Sequence, residues 1–285
     1  MPKTPQTIII IGYGNMASAI ASALDKQGKY TLEICGRDFK KAQDFVRENA
    51  LKNAKAIDLA LSKDSKKNSA TQTINLQDKI ALLCIKPYGL SSFSYEGVAK
   101  GAYSTLAGVN IATLSSFIKS QYFVKLMPNV GAKYCHSATA VFLSSDNCDF
   151  KQEAKEIIQS FGNAVFVNSE SLIDSAIATS GSSPAFIALV AQSLIDAGVQ
   201  EGLSRPDSLA LVRETFKGFA FLLDSALPQE IIESVTTPAG TTAQGLAVLE
   251  SKAVRGAFLK ACKASVKKAR KKKIKPQKSY TKINA

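Results

Sequence analysis

The chain has a single histidine, His136, which excludes a zinc site built on several His ligands and any serine triad not using that residue. Its five cysteines (35, 84, 135, 148 and 262) form no CxxC and no regular spacing, so they read as reduced thiols of a cytoplasmic protein. No strongly apolar run approaches the ~20 residues that span a bilayer; Ala185–Ala191 is typical. The N-terminus runs straight into Ile8-Ile-Ile-Ile11 with no signal-peptide layout. These absences point to a protein that engages no membrane.

Acidic residues are missing from residue 263 onward, where nine Lys and one Arg accumulate. The net charge of +13 is therefore mostly a property of the tail, leaving about +3 for the other 262 residues. Such a tail suits a helix end followed by a solvated, disordered terminus, and nucleic acid is not the expected partner.

The 46% hydrophobic content of 285 residues suffices for two domains. Up to about residue 168, short apolar runs alternate with helical patterns. Strands are expected at Ile8–Ile11, Tyr30–Cys35, Ile80–Ile85, Ser104–Val109, Phe123–Met127, Ala138–Leu143 and Ala164–Val167, with helices to about Lys26, at Phe39–Leu51 and at Phe150–Phe161. That order implies a parallel sheet covered on both faces. Beyond about Glu170 the pattern is purely helical, with starts at Ser182-Ser-Pro184 and Ser204-Arg-Pro206 and a last helix running from Gly240-Thr-Thr242 toward the tail. The expected organisation is α/β + all-α: a Rossmann-like dinucleotide-binding domain (1–168), a helical dimerisation and substrate domain (169–273) and a basic tail (274–285). Ala185–Leu194 is apolar nearly all round, the mark of a subunit interface.

Ile8–Ala17 reads as strand, Gly-x-Gly-x-x-Ala, then helix. Gly12 permits the tight turn, Gly14 lets the backbone approach a pyrophosphate at the helix N-terminus, and Ala17 allows close helix–strand packing. The second strand places Glu33 mid-strand and is followed by Gly36-Arg37, Lys40 and Lys41. A basic cluster there suits a 2′-phosphate, so NADPH is expected, with NADH possible.

The residues also resemble a known family, pyrroline-5-carboxylate reductase. The resemblance rests on Gly12-Tyr-Gly-Asn-Met-Ala17, Ile85-Lys86-Pro87, Leu106-Ala-Gly108, Met127-Pro-Asn129, Ser180-Gly-Ser-Ser-Pro-Ala185, Asp196-Ala-Gly-Val-Gln-Glu-Gly-Leu203 and Val235-Thr-Thr-Pro-Ala-Gly-Thr-Thr242, in that order. It implies a homo-oligomer, at least dimeric, that transfers hydride from NAD(P)H to the C=N carbon of a cyclic imino acid, giving L-proline. It further implies that Asn15, Met16, Lys86, Pro87, Ala107, Gly108 and Asn129 join Gly12, Gly14 and Arg37 around the cofactor. Thr237, Ala239, Gly240, Thr241 and Thr242 would hold the substrate carboxylate, with the Thr241 hydroxyl on the imine nitrogen. Lys86 would stabilise charge beside the nicotinamide, its alternative being a plain solvent-facing lysine. Val130-Gly131, Ser183, Thr237, Ala239 and Tyr88 depart from the family's usual residues. The alternatives are a two-domain reductase of a small keto or hydroxy acid and a non-catalytic dinucleotide sensor.

Overall fold

The computed structural model describes residues 5–64 and 69–271. It divides into two compact units, Met1–Gly181 with Ser265–Ala285, and Ser182–Ala264. The first unit reaches past the expected boundary at 168 because Ile173 and Ile177 pack with Met127 and Ala140 of its sheet. The expected tail, 274–285, lies outside the described residues.

The first unit is built on eight strands: β1 (Gln6–Ile11), β2 (Tyr30–Cys35), β3 (Ala54–Ala56), β4 (Ile80–Leu83), β5 (Gly101–Ser104), β6 (Phe123–Met127), β7 (Ser137–Leu143) and β8 (Gly162–Phe166). Their spatial order is β8-β7-β6-β5-β4-β1-β2-β3, so the chain reverses direction across the sheet between β1 and β4. In open α/β sheets such a switch point, at the carboxyl ends of the strands, is where ligands bind. Strands β1 to β6 are mutually parallel, whereas β7 runs antiparallel to β6. The expectation of a parallel sheet is corrected there: β8 pairs parallel with β7, so both run opposite to the other six strands. A short connection joins β6 to β7, too short for a helical crossover, so the chain has to turn back on itself.

The all-apolar strands follow from burial on both faces. Ile8 and Ile10 join Leu32, Ile34 and Leu82 in one cluster beneath α1 (Asn15–Gln27), α2 (Phe39–Glu48) and α4 (Cys148–Gln159). The alternate residues Ile9 and Ile11 join Ala81, Leu83 and Ala102 in the other. The strand expected at Ser104–Val109 is instead Gly101–Ser104, followed by a turn at Leu106–Val109 in which Gly108 has φ +73°. Leu106 and Val109 are buried there without being extended; apolarity marks burial, not strand geometry. This unit also holds short α3 (Ile111–Ser115) and α5 (Ser171–Ser175), a three-stranded sheet of Leu61–Asp64, Ser69–Asn75 and Phe93–Glu96, and a two-stranded one of Val98–Ala99 and Lys119–Ser120.

The second unit contains α6 (Ser183–Gln200), α7 (Arg205–Ser225), α8 (Pro228–Ser234) and α9 (Thr241–Ser251), and the start of α10 (Val254–Arg270). Pro184 and Pro206 sit in the first turns of α6 and α7, where no backbone donor is lost, and Ser204 caps α7 by accepting from the Asp207 amide. The single last helix expected from the sequence is two, broken where Ala253 takes φ +52°. This unit leaves large apolar side chains in water: Leu189 is 69% exposed, Phe221 74% and Leu259 72%. Exposure on that scale marks an interaction surface. The segment Ser171–Gln200 is also long and apolar enough, by length and composition, to cross a membrane. Reading by uninterrupted apolar runs missed it, because Ser, Thr and Gln break a run without lowering a long average much.

Candidate functional site

The carboxyl ends of β1, β2, β4, β5 and β6 open onto a cleft of about 770 Å³. Its floor begins where β1 ends. Gly12 has φ +114°, its amide donates to the Cys35 carbonyl at 2.8 Å, and a Cβ built on it would lie 2.8 Å from the Cys84 carbonyl oxygen. Only glycine meets both conditions.

Gly14 is different. Its φ of −88° is open to any residue, and a Cβ built on it would meet nothing within 4 Å. It is the N-cap of α1, which has no side-chain cap and no acid in its first turn. The 13-residue helix therefore presents its first-turn amides and positive dipole end unopposed. The space above Gly14, the uncapped amides and the cleft together fit the diphosphate of a dinucleotide.

Of the expected cofactor residues, the cleft brings together Gly12, Gly14, Asn15, Met16, Arg37, Lys86, Pro87 and Ala107. Arg37 and Lys86 are its charged lining groups, both exposed, and no carboxylate is among the described lining residues. Glu33 is occupied elsewhere: buried, it pairs with Lys79 at 2.7 Å and Lys55 at 3.4 Å. Two expected residues are not lining groups. Gly108 borders a separate, smaller cavity, and the Asn129 side chain accepts from the Gly131 amide, capping the 3-10 turn Val130–Tyr134. Their neighbours Ala107, Met127 and Pro128 line the cleft instead. Gly131 is required where it stands, because a Cβ there would lie 2.6 Å from the His136 carbonyl.

Sequence reasoning missed Tyr13 and Cys84 as lining residues, while Tyr88, singled out only as a departure from the family's usual residue, lines the cleft as well. Tyr13 packs over Gly36, where any Cβ would run into its ring, and Tyr88 is 70% exposed at the cleft mouth. Cys84 lies on the floor, and desolvation pushes its thiol up to about 12, against a weaker opposing effect of the Thr105 hydrogen bond. Burial does the same for Cys35, also to about 12, with the Glu33 charge adding to it. A raised thiol value holds the neutral form until the pH nears that value, so at pH 8 roughly one part in ten thousand of either is thiolate. Iodoacetamide at pH 8 should therefore label the exposed Cys135 and Cys148 before Cys84 or Cys35, read by peptide mass spectrometry. Early labelling of Cys84 would contradict this.

The other expected residues lie in the second unit. Thr237-Pro-Ala-Gly240 is a turn closed by the Gly240 amide on the Thr237 carbonyl at 3.0 Å, with Pro238 second and Ala239 third at φ +58°. That is the type II pattern, whose third position favours glycine; Ala239 bears about 1 kcal/mol of strain for its methyl. The turn delivers Gly240 as N-cap of α9, which has no side-chain cap, and places Thr241 exposed at its first position, with Thr242 next. The 11-residue helix thus opens on uncapped amides and a hydroxyl, a combination suited to a carboxylate and a polar neighbour.

Comparison with known proteins agrees with this geometry. Residues 170–272 match the profile of the family "Pyrroline-5-carboxylate reductase dimerisation", and residues 7–104 match "NADP oxidoreductase coenzyme F420-dependent". A pyrroline-5-carboxylate reductase of Helicobacter pylori strain J99 is 47% identical over 262 residues, which is 91% of this chain and 97% of the relative. The 1-pyrroline-5-carboxylate reductase structure of Streptococcus pyogenes superposes with TM-score 0.76 at 27% identity, covering 93% and 98% of the two chains. The Plasmodium falciparum pyrroline carboxylate reductase structure, with NADP bound, shares the fold at TM-score 0.69 and 24% identity, covering 93% and 98%.

Proposed function

We propose, for a chain that belongs to the pyrroline-5-carboxylate reductase family, that it reduces the C=N bond of 1-pyrroline-5-carboxylate to give L-proline. The observation that carries this reading is the cleft at the switch point: an uncapped helix N-terminus, an open approach at Gly14, two cations and, among the described residues, no lining acid. When bound there, the nicotinamide dinucleotide supplies the hydride for the C=N carbon. A protonated imine is already electrophilic, so the protein's task is placement and charge complementarity rather than strong acid catalysis.

In this reading the first turn of α1 binds the diphosphate, and Lys86 lies beside the reacting end of the cleft. The first turn of α9 holds the substrate carboxylate, and the Thr241 hydroxyl hydrogen-bonds the ring nitrogen. The exposed apolar surface of the helical unit is where subunits associate, in accord with the dimerisation profile; the same association accounts for the apolar segment Ser171–Gln200 without a membrane. All five cysteines are free thiols, which supports a reducing, cytoplasmic setting. The direct test is imine-dependent oxidation of NADPH at 340 nm with proline as product. Binding of NADPH without imine reduction would favour a dinucleotide sensor.

NADPH is the preferred donor in this reading because Arg37 follows β2, where the ribose 2′-phosphate falls, while Glu33 is tied to two lysines. Arg37→Ser should raise KM for NADPH about tenfold, the worth of one charge-assisted hydrogen bond at an exposed site, and leave KM for NADH nearly unchanged. Equal effects on both donors would remove Arg37 from phosphate recognition.

A further inference from the structure

Mid-strand in β6, Lys125 is an oddity: its side chain is 4% exposed, yet it carries an ammonium held only at ion-pair distances. Its nearest charges are Glu170 Oε1 at 3.8 Å and Asp174 Oδ1 at 4.0 Å, both beyond hydrogen-bonding reach. Asp174 Oδ1 is itself buried without a hydrogen-bond partner. Lys125 and Asp174 are largely withdrawn from water while Glu170 is partly exposed, and a charge so withdrawn and loosely paired is costly to leave without its partner. The cluster adjoins a cavity of about 290 Å³ that Gly108, Asn110 and Arg270 also line.

The consequence lies one bond further on. Glu170 Oε1 accepts the Ile111 amide at 2.7 Å. That amide ends the segment Thr105–Asn110, whose first half is cleft wall: Thr105, Leu106 and Ala107 face the dinucleotide site. Thr105 is bonded to the Leu83 carbonyl and the Leu106–Val109 turn closes on itself, so the wall is fixed at its near end by the sheet. At its far end the Glu170 bond to Ile111 holds it. Two residues beyond Lys125 in the same strand, Met127 lines the cleft directly.

We propose that Lys125 is a positioning residue for the dinucleotide cleft: its charge holds Glu170 in place, and Glu170 sets the Leu106–Ala107 wall through the Ile111 amide. This rests on the reading of the cleft as the dinucleotide site. It predicts that charge at position 125, rather than bulk, governs cofactor affinity.

The test is NADPH titration by fluorescence on the full chain, with melting temperature and steady-state kinetics on the same samples. Lys125→Met should weaken NADPH binding at least about fivefold, and Lys125→Arg should return it to within about twofold of wild type, the adjoining cavity giving room for the guanidinium. Glu170→Gln keeps an acceptor for Ile111 but removes the charge, and should weaken binding to a similar extent. The double variant should be no weaker than the worse single one. Wild-type affinity in a folded Lys125→Met protein overturns the proposal. So does an equal loss in Lys125→Met and Lys125→Arg that tracks their melting temperatures. Should Lys125→Met not fold, wild-type affinity in Glu170→Gln overturns it by itself. A wild-type protein that binds no NADPH removes the cleft reading along with this one, whereas tight wild-type binding with unchanged variants removes only this one.

Discussion

Gly12→Ala is expected to destabilise the protein by about 3 kcal/mol or more, while Gly14→Ala leaves stability within about 1 kcal/mol and weakens NADPH binding at least about tenfold. The two glycines stand two residues apart in one loop and are glycine for opposite reasons. At Gly12 a side chain faces φ +114° and the Cys84 backbone carbonyl at 2.8 Å, and backbone, unlike the far end of a flexible side chain, does not give cheaply. The damage falls on the fold. At Gly14 neither φ nor any neighbour within 4 Å objects to a methyl group. In the proposed function, what objects is the diphosphate, placed close against the α1 amides. Thermal melting with and without NADPH separates the two effects. Gly12→Ala should melt markedly lower in both conditions, and Gly14→Ala should lose only the shift that NADPH confers. A Gly14→Ala protein with the full NADPH shift would mean the diphosphate does not sit over α1.

Thr241→Ala is expected to lower kcat/KM for the imine about tenfold or more, the worth of one well-placed donor, with little change in melting temperature. Thr241 is exposed and no side chain caps α9, so removing its hydroxyl removes no cap. Thr241→Ser keeps the hydroxyl and should retain most of the activity. A merely structural threonine would give a lowered melting temperature and unchanged kcat/KM in the alanine variant. NADPH binding should not respond, since the effect is assigned to the substrate. Unchanged kcat/KM in Thr241→Ala would take Thr241 out of the chemistry.

The dinucleotide loop and most strands were legible because their causes are local. Ile8–Ile11 had to be buried on both faces, and the spacing of Gly12, Gly14 and Ala17 answers constraints within a few residues. The helix starts at Pro184 and Pro206 were equally local, since a residue without an amide donor fits only a first turn. The ordered motifs carried the family. Where expectation and structure part in these segments, a backbone turn that composition does not announce decides. Leu106–Val109 has the composition of a strand, yet the turn with Gly108 at φ +73° takes it out of the sheet after Ser104. The run after Gly240 reads as one helix, and Ala253 breaks it. Asn129 lies within a cleft motif, but its side chain turns to cap the next backbone turn.

By itself the sequence determined an α/β unit followed by helices, a glycine loop shaped for a diphosphate, and basic residues after the second strand. Only the tertiary structure decided that β7 runs antiparallel, that Glu33 is neutralised by Lys55 and Lys79, and that Lys125 is buried between Glu170 and Asp174. The reason is one of range. Periodicity, turn chemistry and capping act over a handful of residues and are written in order along the chain. The partners of a buried charge come from segments up to about fifty residues apart, and only folding brings them within 4 Å.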